Sequence, residues 1–225
     1  MQAPWLDHYP PGVPPHARLD AYRNLADLLE DSFRRYGPRH ALDCMDTRLR
    51  YRDIGELSEA LGAWLQSLGL EPGSRVALMM PNVPQYIVAI AAVLRAGYVV
   101  VNVNPLYTAR ELQHQLKDSG AQVVVVLENF AQTLEEAIER TDVKHVVLAS
   151  MGDLLGYWQG RIINFAVRHV RGLVPAFTLP VGEGRSVTRF NDAVRQGQKM
   201  SLRRMDIQPN DVAFLQYTGG TTGVS

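Results

Sequence analysis

Between Arg75 and Ala149 the chain switches repeatedly between short β-branched apolar runs and longer amphipathic stretches. RVALMM, YVVVNV, AQVVVVL and KHVVLA read as strands. NVPQYIVAIAAVLRAG, TARELQHQLKDSG and NFAQTLEEAIER, lying between them, read as helices. Runs that are apolar throughout suit strands covered on both faces. Strands and helices alternating through short connections imply parallel βαβ units, with helices on both sheet faces. The expected fold class is therefore α/β. The punctuation agrees: Pro84 opens one helix and Gly97 follows its end, while Thr108 and Glu111 form a TxxE capping box.

The flanking sequence suggests four segments. Residues 1–24 read as an extended proline-rich arm and 25–150 as the α/β subdomain. Residues 151–188 form an irregular segment containing one amphipathic helix, and 189–225 start a second subdomain that ends in a glycine-threonine loop. Within the α/β part, Leu25, Leu28, Leu29, Phe33 and Tyr36 recur at helical spacing behind the capping residue Asn24, and Gly37-Pro38 stops that helix. ALDCMDTRLRY reads as two short strands around a Met45-Asp46 turn, followed by a helix over 53–68. A short helix is expected in TRFNDAVRQG and a last strand in DVAFLQY.

Composition removes several function classes. Lys plus Arg and Asp plus Glu are 23 each, so there is no basic excess of the kind nucleic acid attracts. The single cysteine, Cys44, cannot form an internal disulfide and reads as a small buried apolar residue. The six histidines are scattered without metal-ligand spacing, so no metal site is expected. The start is not a secretory signal, and no stretch approaches the roughly 20 apolar residues that span a bilayer. A reducing cytoplasm suits this usage.

The chemistry concentrates in LQYTGGTTGVS, Leu215 to Ser225. Gly219, Gly220 and Gly223 let the backbone curl with its N–H groups inward, forming an anion nest, while Thr218, Thr221, Thr222 and Ser225 add hydroxyl donors. A polyphosphate would fit, and so would an ordinary flexible turn; the chemistry alone leaves both open. The loop has neither the GxxxxGK[ST] spacing of a Walker loop nor a GxGxxG, which disfavours an ordinary P-loop nucleotidase.

YTGGTTGVS resembles the signature phosphate loop of the adenylate-forming, AMP-binding superfamily of acyl-CoA synthetases, luciferases and amino-acid adenylation domains. RAGYVVVNVNPLYTARELQHQLKDSGAQVVVV resembles, more narrowly, bacterial long-chain fatty acyl-CoA synthetases, with the NPLYT and REL wording favouring a fatty acid. The resemblance runs from about Leu25 onward. It implies part of the large amino-terminal domain of such an enzyme. It further implies a two-step ligation through an acyl-adenylate, with ATP and Mg2+ as cofactors and coenzyme A as co-substrate. Thr218, Gly219, Gly220, Thr221, Thr222, Gly223, Val224 and Ser225 would hold ATP, the first six at its β- and γ-phosphates. The family's magnesium-binding acid and late catalytic lysine have no counterpart in these 225 residues. The expectation is an amino-terminal piece, inactive alone, of a longer ligase. Aryl- or amino-acid adenylation remains an alternative within the superfamily. A non-catalytic module for membrane-surface contact or oligomerisation, as in a homodimer, remains one outside it.

RIINFAVRHVRGLV has a helical pattern. Ile162, Ile163, Ala166, Val167 and Val170 share one arc; Arg161, Asn164, Arg168, His169 and Arg171 share the other, with Phe165 among them. Such an apolar arc usually packs on the protein's own core. The other reading is a membrane face carried by Arg161, Phe165, Arg168 and Arg171, peripheral on the cytoplasmic side of the inner membrane. Trp64 and Tyr86 read as packing residues, and Lys117-Asp118 as solvated surface. Asn102, Asn104 and Pro105 follow a strand end, where ligands bind in open α/β sheets, but turn chemistry explains them equally well.

Overall fold

Four strands come from the four valine-rich runs, and two further strands extend the sheet at its edges. The computed structural model describes residues 4–16, 21–182 and 184–218. Residues Pro4–His8 form a turn of 3-10 helix rather than extended chain, and none of them is buried. Pro4 suits this, because its fixed φ is pre-set for a first helical turn.

Helix α1 is Leu25–Tyr36, with Asn24 accepting from the Asp27 N–H at 2.9 Å as its cap. Strands β1 (His40–Cys44) and β2 (Thr47–Arg50) make an antiparallel hairpin. Its turn residues Met45 and Asp46 both take positive φ, as a two-residue hairpin turn requires. Cys44 is half-buried here rather than buried. Helix α2 (Tyr51–Ser67) begins two residues before the expected Asp53, because Asp53 is the capping-box acid and accepts the Arg50 N–H at 2.7 Å.

Then follow β3 (Arg75–Met79), α3 (Pro84–Arg95), β4 (Val99–Asn102), α4 (Ala109–Ser119) and β5 (Val123–Leu127). A 3-10 turn, Glu128–Phe130, leads into α5 (Ala131–Ile138) and β6 (His145–Ala149). Helix α6 (Tyr157–Phe165) passes directly into a π-helical turn, Ala166–Val170. Strand β7 (Ser186–Arg189), helix α7 (Phe190–Gly197) and strand β8 (Phe214–Gln216) complete the order.

The main sheet has order β7-β6-β5-β3-β4-β8, and every pairing in it is parallel. Side chains of β3 alternate between two cores. Val76 and Leu78 join α2, α3 and α7 on one face, and Ala77 and Met79 join α4 and α5 on the other. Helices thus cover both faces, as the alternating pattern requires. Strand β8 pairs with β4 and forms an edge of this same sheet, and β7 forms the other. Periodicity reports which faces of a strand are buried, not which strand lies beside it.

Gly152 and Gly160 bring α6 against the turn that follows β6. A Cβ on Gly160 would lie 2.2 Å from the Gly152 carbonyl oxygen, so only a glycine allows this approach. Among the described residues no helix is long and apolar enough to cross a membrane.

Candidate functional site

In an open parallel sheet, ligands bind beyond the carboxyl ends of the strands. Here those ends belong to β3, β4 and β8, and a cleft of about 490 Å3 opens between them. Asn82, Tyr86, Asn102, Tyr107, Phe130 and Gln216 line it, giving aromatic walls with amide groups among them. Thr218 is exposed just past β8. Gly219, Gly220, Thr221, Thr222, Gly223, Val224 and Ser225 lie outside the described residues. Two larger hollows, of about 760 and 880 Å3, involve the start of α1 and residues 202–213, away from these strand ends.

Polar side chains tie the rim together. Asn102 and Gln216 are the last residues of β4 and β8 and stand in register. The Asn102 side-chain N–H donates to Gln216 Oε1 at 2.7 Å, and Tyr86 OH donates to Asn102 Oδ1 at 2.8 Å. Gln115 Nε2 donates to the Asn102 carbonyl at 2.7 Å, closing the end of β4. Tyr86 therefore has a polar task as well as a packing one, and partial burial raises the pKa of its hydroxyl. Trp64 is buried in the core. Asn104 is a turn residue, its Oδ1 accepting the Leu106 N–H at 3.0 Å.

Tyr217 points to the other face, where its hydroxyl donates to the Asp118 carboxylate. Burial first, and then the Asp118 hydrogen bond and charge, push the Tyr217 hydroxyl up to about 12. Asp118, expected to be mere solvated surface, is thus the acceptor for the residue that enters the glycine-threonine loop. Sequence gave no sign of this contact, which spans 99 residues.

Arg168 is not free for lipid: its guanidinium meets both oxygens of Glu128, at 3.0 and 2.7 Å, and donates to Ser150 Oγ at 2.9 Å. Arg161, Phe165 and Arg171 are exposed. The expected arcs also fail. Ile162 and Val170 are 68% and 70% exposed, while Ile163, Ala166 and Val167 are half-buried. At Val170 the π-helical turn is the reason, because its wider winding shifts the register on which a 3.6-residue period depends; Ile162 lies ahead of that turn, on the outward side of α6. Tyr157, Trp158, Ile162 and Phe165, each at least 62% exposed, make the outward apolar surface of α6. Among the described residues no three His, Cys, Asp or Glu side chains are grouped to hold a metal.

Residues 29–225 match the family described as AMP-binding enzyme. The long-chain-fatty-acid–CoA ligase of Escherichia coli is 47% identical over 226 residues, covering all of this chain and 39% of that protein. The chain therefore spans about two-fifths of the length of this relative. Among solved structures, an anthranilate CoA ligase, AuaEII, in complex with anthranoyl-AMP superposes with a TM-score of 0.69 at 21% identity, covering 92% of this chain and 35% of its own. The long-chain-fatty-acid-CoA ligase FadD1 from Archaeoglobus fulgidus gives 0.65 at 22% identity, covering 90% and 36%. At those identities the structures speak for the fold alone.

Proposed function

The chain belongs to the AMP-binding enzyme family, and from that membership we propose that it supplies the sheet and phosphate-loop portion of an ATP-dependent, AMP-forming long-chain fatty acid–CoA ligase. The observation that carries this reading is where YTGGTTG starts: it follows β8 directly, at the carboxyl rim of the sheet beside the amide-lined cleft. Similarity to the Escherichia coli ligase over the whole chain supports a fatty acid as substrate.

ATP supplies the electrophilic phosphorus and the leaving pyrophosphate. This chain contributes hydrogen-bond donors from Thr218 to Ser225 to hold the phosphates, and an end of β8 that aims them. Preorganised donors of this kind stabilise charge without reorganising at the moment of reaction. The described residues offer no grouping of acids for Mg2+, so no step is assigned to a metal held by them. Residues 1–225 alone are expected to be inactive. A full-length protein carrying this segment, given oleate, coenzyme A, ATP and Mg2+, should release AMP and oleoyl-CoA together. Production of ADP, or no nucleotide consumption with any acyl substrate, would refute the assignment.

A second, finer reading concerns α6. Four large apolar side chains standing in solvent on one short helix, beside exposed Arg161 and Arg171, suit contact with an anionic bilayer. A ligase of membrane-partitioned fatty acid would gain from resting there. Flotation with phosphatidylglycerol vesicles is the test. Trp158→Ala with Phe165→Ala should reduce the bound fraction severalfold, and Arg161→Glu with Arg171→Glu should do the same at low salt. Unchanged flotation by both pairs would leave α6 without a lipid role.

A further inference from the structure

Strand β8 is only three residues long and lies on the sheet's edge, paired with β4 through Phe214, Leu215 and Gln216. So short a ladder holds its terminus weakly. We propose that Tyr86, Asn102 and Asp118 are positioning residues: with Gln216 and Tyr217 they form a two-sided clamp that fixes where β8 ends and the direction in which Thr218 leaves it. This rests on the reading of the following loop as a nucleotide site.

The clamp works through opposite faces. Consecutive residues of a strand point to opposite sides of the sheet. Gln216 faces α3 and is held by Asn102, while Tyr217 faces α4 and is held by Asp118. A strand end tied on one face can still roll about its axis; tied on both, it cannot. The first arm also orders itself. Asn102 Oδ1 accepts the Tyr86 hydroxyl, so its amide nitrogen is turned to donate to Gln216 Oε1. The second arm is a hydroxyl on a carboxylate, a charge-assisted bond stronger than a neutral one. The Tyr217 hydroxyl stays protonated through the working pH range, so this arm is always set. Because Tyr217 immediately precedes Thr218, rotation of β8 would turn Thr218 with it. A misplacement of about 1 Å can cost on the order of a hundredfold in rate.

The test uses the full-length protein. Tyr86→Phe and Asp118→Ala should each raise KM for ATP by about three- to tenfold, leaving KM for coenzyme A within about twofold. Asp118→Asn keeps an acceptor oxygen and should restore KM for ATP to near its original value. A residue that only supported folding would lower the active fraction, and thus apparent kcat, without moving KM. Amide exchange at Gln216, Tyr217 and Thr218 in nucleotide-free protein should also quicken severalfold in Asp118→Ala. An active parent enzyme whose two variants keep its KM for ATP overturns the clamp alone. A parent that neither binds ATP nor forms acyl-CoA overturns the reading of the loop, and the role of the clamp with it.

Discussion

Arg168 grips Glu128 with two nitrogens, at 3.0 and 2.7 Å, and the Glu128 side chain retains only 2% of its exposure. Arg189, past β6 on the sheet's far edge, adds a contact to the same carboxylate at 3.3 Å. A buried charge that loses its partner costs far more than the pair contributes when intact. Arg168→Met should therefore destabilise the fold by about 3 kcal/mol, toward the lower end of the usual range because Arg189 remains. Adding Glu128→Gln should recover part of that loss. Urea unfolding midpoints of the single and double variants measure both. A cost for Arg168→Met below about 0.5 kcal/mol, typical of surface changes, would show that Glu128 does not depend on Arg168.

The Gly152–Gly160 contact leads to a steric prediction. A methyl group at Gly160 would need the space of the Gly152 carbonyl oxygen, 2.2 Å away. Backbone cannot yield as a flexible side-chain tip can, so α6 must move outward. Gly160→Ala should cost roughly 1–3 kcal/mol and make the 151–171 segment cleave faster in limited proteolysis. An alanine variant as resistant as the parent would mean that α6 is not held by this contact.

Thr108 shows how a local signal survives into the structure. Its hydroxyl accepts the Glu111 N–H, and the Glu111 carboxylate accepts the Thr108 N–H at 2.7 Å. The Thr108 hydroxyl, which also donates to the Glu111 carboxylate at 2.7 Å, and after it the Thr108 N–H, hold that carboxyl below the usual carboxylate range. Thr108→Ala should cost about 1 kcal/mol in unfolding free energy, and Thr108→Ser close to nothing. Equal stability of all three proteins would show that α4 begins without help from its cap.

Whatever a few neighbouring residues decide could be read from the sequence. The valine runs of β3 to β6, the Met45-Asp46 hairpin turn, the Asn24 cap and the Thr108-Glu111 box all depend on spacing within a handful of positions, and all stand where the pattern puts them. What depends on distant partners could not be read. Ser186–Arg189 is an edge strand with a single aliphatic residue, Val187, so burial left no imprint on it. The position of β8 beside β4 is a matter of topology that periodicity does not encode. Arg168 looked like part of a polar arc because the arc assumed an unbroken α-helix; the π-helical turn and a buried acid 40 residues earlier decide its place instead. At the candidate site the glycine-threonine motif was visible as chemistry and Asn102 as a strand-end residue, but the contacts that tie Asn102 to Gln216 and Asp118 to Tyr217 were not, because they span 114 and 99 residues.

Asp153 should leave a signature in the dependence of stability on pH. Burial is the main force raising its carboxyl from 3.8 to about 6; the Glu128 charge adds to it, while the Ser150 N–H and the Arg189 and Arg168 charges oppose it. A folded-state pKa above the unfolded value means that the native protein keeps a proton which the unfolded chain has released. Unfolding then grows easier with rising pH across that interval. The contribution is fully present below about 3.8 and is lost as pH passes through about 6. At 1.36 kcal/mol per pKa unit its size is on the order of 2–3 kcal/mol. Acids with lowered pKa values, such as Asp27 and Glu111, tilt the curve the other way, so the comparison must be with a variant. Asp153→Asn has no proton to exchange and can still accept a hydrogen bond from the Ser150 N–H. Relative to it, the parent should lose urea-unfolding free energy between pH 4 and pH 6.5 and hold a constant difference above pH 7. Parallel curves for the two proteins over that interval would show that the Asp153 carboxyl titrates at its ordinary value.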